Sequence, residues 1–335
     1  MERRGIICGG SWIVDHNNSI ANWPEEETLA IIVSREIQGG GPAHNMGVDL
    51  ARLGAPFPLW GMGVVGGDDG GRLLLGTCAD HGIDCSRIRV ASEACTSHTD
   101  VMTVQGTGRR TFFHHQGANA LVSPVDFQFA GIPARILHLG APGIHETMDA
   151  PSGGAANGWV TVLRRARAAG LRTNLEMISG EPAGLRRLVA PCLPHLDSLI
   201  INDFEAGALT GIEVVKDGVT SVEGARRAAA SLLGQGSMEV VVVHYPAGCV
   251  AAPRDGRMLD LPSLRVPPEA IKGANGAGDA FAAGVLLGLH EAWPLEDGLR
   301  LGLCAAAAAL LSVSTTGSVM PAAECLALAK AWGWR

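Results

Sequence analysis

Gly273-Ala274-Asn275-Gly276-Ala277-Gly278-Asp279-Ala280-Phe281 is a glycine-rich turn that runs into an apolar stretch and sets one carboxylate at its start. Ala280, Ala283, Gly284, Leu287 and Gly288 recur at helical spacing, which predicts a helix from about Ala277 with its first free N–H groups facing the turn. A helix mouth carries roughly half a positive charge and unsatisfied donors, so it attracts an anion such as phosphate, and glycines admit that anion close to the backbone. An aspartate competes with a phosphate there unless it accepts a proton beside it. The combination points to phosphoryl transfer. An ordinary tight turn with Asp279 as a helix cap is the alternative reading of the same stretch.

Length and composition narrow the field around this turn. At 335 residues, with 47% hydrophobic and 18% charged residues, the chain has the make-up of a globular protein with a large core, and its 45 glycines are scattered instead of forming a repeat. A net charge of -7 offers no basic face, so no nucleic-acid partner is expected. The cysteines at positions 8, 78, 85, 95, 192, 249, 304 and 325 contain no Cys-x-x-Cys pair and no histidine set at zinc spacing, and read as buried, reduced thiols. His114 and His115 likewise lack partners at ligand spacing, so no metal role is expected of them. After Arg3 and Arg4 the chain turns glycine-rich and polar, unlike a signal peptide, and the longest apolar run, Leu301 to Val313, is too short to span a bilayer. No membrane association and a cytoplasmic location are the resulting expectations.

Short apolar runs alternate with helical patterns: Ile6 to Cys8, Pro58 to Val65, Ile136 to Leu139, Leu171 to Leu175, Leu199 to Ile201 and Val240 to Val243. That rhythm predicts an α/β fold with a largely parallel sheet covered on both faces. Thr220 and Glu223 suggest a capping box for a crossover helix whose apolar stripe is Val222, Ala225, Ala229 and Leu232. Pro151 to Gly158 reads as a loop. Two segments break the rhythm: residues 11–38 hold the run Ala30-Ile31-Ile32-Val33, and residues 99–115 read as a hairpin around Gln105-Gly106-Thr107-Gly108-Arg109-Arg110. Both are expected to form a small separate sheet, a discontinuous appendage to a single domain spanning residues 1–335.

Other candidates each carry a plainer alternative. Gly39-Gly40-Gly41-Pro42-Ala43-His44-Asn45 opens onto a second helix and permits close approach of a polyol, or is simply a tight turn. Asp15 follows Gly10-Ser11 after the first strand and could accept bonds from neighbouring hydroxyls, or be a solvated carboxylate. Asn202-Asp203-Phe204-Glu205 ends an apolar run where open sheets gather ligands, and its oxygens suit a hydrated magnesium ion or a helix cap. Arg109 and Arg110 suit an anion or solvent. Lys272 suits nucleotide charge. Gly61-Met62-Gly63-Val64-Val65-Gly66 matches a dinucleotide fingerprint, yet Asp68 and Asp69 follow where a pyrophosphate needs a helix mouth, so that reading is rejected.

Gly276 to Phe281 resembles, residue for residue, the C-terminal signature of the ribokinase-like (PfkB) carbohydrate kinases, Asp-Thr-x-Gly-Ala-Gly-Asp-Ala-Phe. Gly40, Gly41, Asn45, Ala51, Leu53 and Gly54 are similar to that family's N-terminal signature, and Asn202 with Glu205 to its Asn-x-x-Glu element. The resemblance implies a three-layer sandwich with a small β-sheet lid over the sugar site, and an ATP-dependent sugar kinase. It implies that Asp279 is the catalytic base, that Gly276, Ala277 and Gly278 form an anion hole, and that Asp15, Gly40, Gly41 and Asn45 face the substrate; Arg109 joins them on the substrate side by its charge alone. Asn202, Glu205 and Asn275 fall on the nucleotide side, with Asn202 and Glu205 reaching Mg2+ through water, and Lys272 is added to them by its charge beside the turn. Gly273 and Ala274 replace the family's Asp-Thr, which puts a monovalent cation in doubt. Pro246 replaces a glycine near the base pocket, and Ser312 to Ser318 matches the adjoining nucleotide loop. A homodimer through the lid is a family expectation. A nucleoside kinase stays open on Trp12, Trp23, Phe112 and Phe113, as does a sugar-binding regulator that has lost transfer.

Overall fold

A computed structural model of the chain describes residues 3–335. Its strands in chain order are β1 (Ile6–Gly10), β2 (Ile13–Ile20), β3 (Ile32–Gly40), β4 (Leu59–Gly66), β5 (Asp84–Ala91), β6 (Ser97–Val104), β7 (Arg110–His115), β8 (Ile136–Gly140), β9 (Arg172–Leu175), β10 (Ser198–Asn202), β11 (Val215–Lys216), β12 (Val219–Thr220), β13 (Val240–Tyr245), β14 (Gly248–Pro253) and β15 (Leu259–Pro262). Nine of them form one sheet in the order β15-β14-β13-β10-β9-β8-β1-β4-β5. It is parallel from β5 to β13, and the β13-β14-β15 edge is antiparallel. β1 and β8 are buried along their length, and β13 along its run Val240 to Val243, because both sheet faces are covered. Neighbouring residues of β1 show the two faces: Ile6 belongs to the core cluster that includes Phe281 and Leu286, whereas Ile7 belongs to the one that includes Leu137 and Trp159.

From β1 the chain builds outward in both directions, to β4 and β5 on one side and to β8, β9, β10 and β13 on the other. Such a reversal opens a crevice at the carboxyl ends of the strands, where α/β proteins bind ligands. Four strands leave that plane as a second sheet, β3-β2-β6-β7, in which β2 pairs antiparallel with β3 and parallel with β6. Ile31, Ile32, Val33, Ile37, Phe112 and Phe113 of this small sheet and its approach are exposed. Trp23 stacks flat on Phe113 at 6.1 Å between ring centres.

Local expectations needed several corrections. The helix Val222–Leu233 is capped by Ser221, whose side chain accepts from Gly224 N–H, and not by Thr220, whose hydroxyl donates to Asp203. Val222 is exposed and so leaves the apolar stripe. Asp15 lies within β2, beyond the end of β1, because the chain crosses to the small sheet at Ser11-Trp12. Trp12 is fully buried, its indole N–H bonded to Met62 O, so it is unavailable to a nucleobase. Six of the free cysteines are buried, but Cys85 is half-buried and Cys95 exposed. Among the described residues no helix is long and apolar enough to cross a membrane.

One core residue departs from the apolar pattern. Asp49, on the helix Pro42–Arg52, is fully buried, and neither carboxyl oxygen has a hydrogen-bond partner. Burial first, then the nearby charge of Asp279, raises its pKa well above the ordinary value. A carboxyl raised in this way holds a proton that the unfolded chain releases, so stability falls as pH climbs from about 4 through the folded pKa. Asp49→Asn is therefore expected to raise Tm by a few degrees at pH 8, roughly the effect of 1 kcal/mol in a large domain, and to change little at pH 4. Thermal melts at the two pH values check this; equal shifts, or none, contradict it.

Candidate active site

The carboxyl ends of β1, β8, β9, β10 and β13 deliver Ser11, Ala141, Glu176, Asn202 and His244 to one crevice, and the small sheet delivers Asp15 from beside it. The helix Ala277–His290 starts at the same place, as its spacing predicts, with Gly276 as the residue before it in the left-handed region at φ 74°. Ala280, Phe281 and Ala283 are buried under the sheet, which fixes the helix and aims its first turn at the crevice. Asp279 lies in that first turn. Its Oδ2 accepts from Asn45 Nδ2 at 2.6 Å, joining the turn to the start of the Pro42–Arg52 helix. Thr315, from the loop after the Leu295–Ala309 helix, ties the two again: its hydroxyl donates to Gly39 O at 3.1 Å and lies 3.4 Å from Asn45 Oδ1.

The electrostatics centre on carboxyls that share too little water. The Asp279 pKa is raised well above its ordinary value by burial, then by the charge of Glu176 and a hydrogen bond to it; Asn45 and His138 oppose the shift. Glu176 is pushed up to about 7, chiefly by burial. Asp15 also rises to about 7, by burial and then by the charge of Asp279. The Asp15 carboxyl leans over Gly40, where a Cβ would meet its Oδ2 at 2.2 Å, so that position requires glycine. Like charges this close favour protons held in common over full ionisation.

Glu176 is the site residue that no motif revealed. Buried His138 on β8 places Nε2 2.8 Å from Glu176 Oε2, at angles too poor for a well-formed hydrogen bond. Asn174 Nδ2 donates to His138 Nδ1 at 2.9 Å, which leaves the imidazole proton on Nε2, facing Glu176. Ser198 Oγ in turn donates to Asn174 Oδ1 at 3.2 Å, which holds that amide the right way round. Burial lowers the His138 pKa to about 4, so the ring is neutral near pH 7. The available signal was a polar series: His138 in the middle of the otherwise apolar β8, and Asn174 and Glu176 at the end of β9.

Asn202 and Glu205 form a reciprocal capping box: Glu205 N–H donates to Asn202 Oδ1 at 2.8 Å, and Asn202 N–H to Glu205 Oε2 at 3.0 Å. Ser179 Oγ donates to the other Glu205 oxygen at 3.0 Å. Burial nonetheless pushes Glu205 up to about 7. Beyond this pair a cleft of about 370 Å³ runs past His244, Pro246, Gly278, Phe281, Ala307 and Leu310. His244 is held neutral by burial, its pKa lowered to about 4. Of the paired arginines it is Arg110 that reaches the turn, its guanidinium bonding Asn275 Oδ1. Arg109 is exposed and faces a separate hollow with Trp23, and Lys272 is exposed at the start of the turn. The site therefore brings together Asp15, Gly40, Gly41, Asn45, Asn202, Glu205 and the 276–279 turn; Arg109 and Lys272 stand outside that group.

This geometry agrees with what the chain is similar to. Residues 6–323 match the family model described as pfkB family carbohydrate kinase. A ribokinase of Haemophilus influenzae is 25% identical over 329 residues, covering 97% of this chain and 98% of that protein. A cytidine kinase of Thermococcus kodakarensis is 36% identical over 118 residues, a match that spans 35% of this chain and only 38% of that protein. In fold, an Arabidopsis thaliana ribokinase complexed with ribose and ATP superposes with a TM-score of 0.78 at 22% identity, covering 98% of this chain and 99% of that one. The chain belongs to the pfkB family of carbohydrate kinases, phosphotransferases that act on an alcohol group.

Proposed function

We propose that this protein transfers the γ-phosphoryl group of ATP to a hydroxymethyl group of a small sugar. The observation that carries the reading is one carboxylate, Asp279, held by Asn45 at a helix mouth, with Asp15 on one side and the open cleft on the other. Asp15, Asn45 and the bare backbone of Gly40 and Gly41 suit the neighbouring hydroxyls of a polyol. Asp279 takes the proton of the attacking hydroxyl; that oxygen bonds to the γ-phosphorus as the bond to the ADP oxygen breaks. The N–H groups of Gly276, Ala277 and Gly278 stabilise charge on the transferring group. The adenosine end occupies the cleft along His244, Pro246 and Ala307, and Asn275 lies beside the phosphates.

The donor set fits magnesium. Asp15, Glu176, Glu205 and Asp279 are hard oxygen donors whose pKa values are raised chiefly by burial, and one buried Glu176 oxygen has no hydrogen-bond partner. Both Glu205 oxygens are already bonded within the protein, which supports contact from Asn202 and Glu205 through water. When bound, the ion supplies positive charge to the phosphates. No carboxylate stands at Gly273-Ala274 for a monovalent cation. The exposed apolar strip of the small sheet supports a role for that sheet as lid and homodimer contact, and ATP as donor supports a cytoplasmic setting.

Nucleoside phosphorylation is the second reading, favoured by the cytidine kinase segment and by the Trp23–Phe113 stack. ADP release measured with a panel of sugars and nucleosides tests both: acceptors confined to nucleosides select the second, and no acceptor at all rejects transfer in favour of a binding protein.

Glu176 acts in this scheme as a positioning residue through its charge on Asp279. Removing a neighbouring negative charge makes Asp279 easier to ionise, so Glu176→Gln is expected to move the acid limb of the kcat/KM profile to lower pH, on the order of one unit. An unmoved limb with lower kcat assigns Glu176 a purely structural part.

A further inference from the structure

We propose that Cys95, His98 and His115 form a binding site for a zinc-type divalent ion at the root of the small sheet. Sγ of Cys95 and one ring nitrogen from each histidine all lie within 4.8 Å of one another. Cys95 Sγ is 3.8 Å from His115 Nδ1. His98 and His115 are directly opposed across β6 and β7, and their rings stack at 5.0 Å with 11° between planes. Tetrahedral coordination at normal zinc bond lengths requires donors about 3.3 to 3.8 Å apart, so small side-chain rotations close the site.

Backbone ties hold these residues together before any ion arrives. Cys95 O accepts from Ala118 N–H at 2.8 Å, Ser97 Oγ donates to Gln116 O, and Asn119 N–H donates to Ser97 Oγ at 3.0 Å. The segment entering β6 is thus fastened to the segment leaving β7. His16 stacks on His98 at 5.4 Å but turns its Nδ1 to Asp100 at 3.2 Å, which leaves three ligands and an open fourth position. A thiolate with two imidazoles selects zinc or copper ions over magnesium or calcium, which prefer oxygen. The sequence offers only Cys95-x-x-His98, with His115 far along the chain, which is why the spacing of His114 and His115 gave no sign of it. An ion here cross-links two of the chain segments through which the small sheet joins the main one, the one entering β6 and the one leaving β7.

Cobalt titration of the chelator-treated full-length protein tests the proposal. One equivalent of Co2+ is expected to produce a thiolate-to-cobalt charge-transfer band that zinc then abolishes. Cobalt at an oxygen-lined magnesium site gives no such band, so the outcome is independent of the kinase assignment. Cys95→Ser is expected to lose the band, and His115→Ala to weaken zinc binding about tenfold or more; Cys85→Ser keeps both. No band in the unaltered protein, or a band that survives Cys95→Ser, overturns the site. Should Cys95→Ser fail to fold, unchanged zinc affinity in folded His115→Ala overturns it equally.

Discussion

Asp279→Asn is expected to lower kcat between about a hundredfold and ten-thousandfold while nucleotide affinity changes only a few-fold. The amide keeps the shape and can still bond Asn45, but it cannot take a proton, so the loss falls on the chemical step. Nothing in the fold depends on the charge: the side chain sits at the crevice, its ionisation already opposed by burial and by Glu176. The unaltered thermal melt and nucleotide binding of the variant should show that the site persists. Near-normal phosphorylation by Asp279→Asn sinks the assignment of the base, whatever the acceptor.

The second large effect is expected at Gly276. Its φ of 74° lies where a Cβ is strained, and a Cβ there would stand 2.0 Å from Thr315 O. Gly276→Ala therefore has to displace either the turn or the Thr315 loop. Because Thr315 also touches Gly39 and Asn45, the shift reaches both sides of Asp279. Loss of aligned turn donors is expected to cost about a hundredfold to a thousandfold in kcat, with a raised KM for ATP. Gly82→Ala is the control: Gly82 has a similar φ of 67° but nothing within 4 Å of its would-be Cβ, so stability falls by about 1 kcal/mol and turnover holds. Equal turnover in the two variants would remove the turn from the mechanism.

The core strands and the Ala277 helix were legible because their signals are local. A buried parallel strand shows as an unbroken apolar run, as in Val240 to Val243, and a helix mouth shows as glycines before an apolar period. The capping of the Val222–Leu233 helix was misread by one residue because Thr220 and Ser221 offer equivalent hydroxyls, and only the backbone path chooses between them. Glu176 stayed hidden because its partners, His138 and Asp279, are brought to it by the fold and not by spacing.

By itself the amino-acid sequence determined the alternation of strands and helices, the glycine turn with its carboxylate, and the family to which those residues point, all properties encoded within a dozen neighbouring positions. Only the tertiary structure decided that Asn45, tied in turn to Thr315, holds Asp279, that Glu176 and Asp15 crowd it, and that Cys95 meets His115. Those contacts join residues that stand far apart in the chain or meet only across a strand pair, and the energies that set them, desolvation and charge at a few ångströms, depend on distances that no local pattern carries.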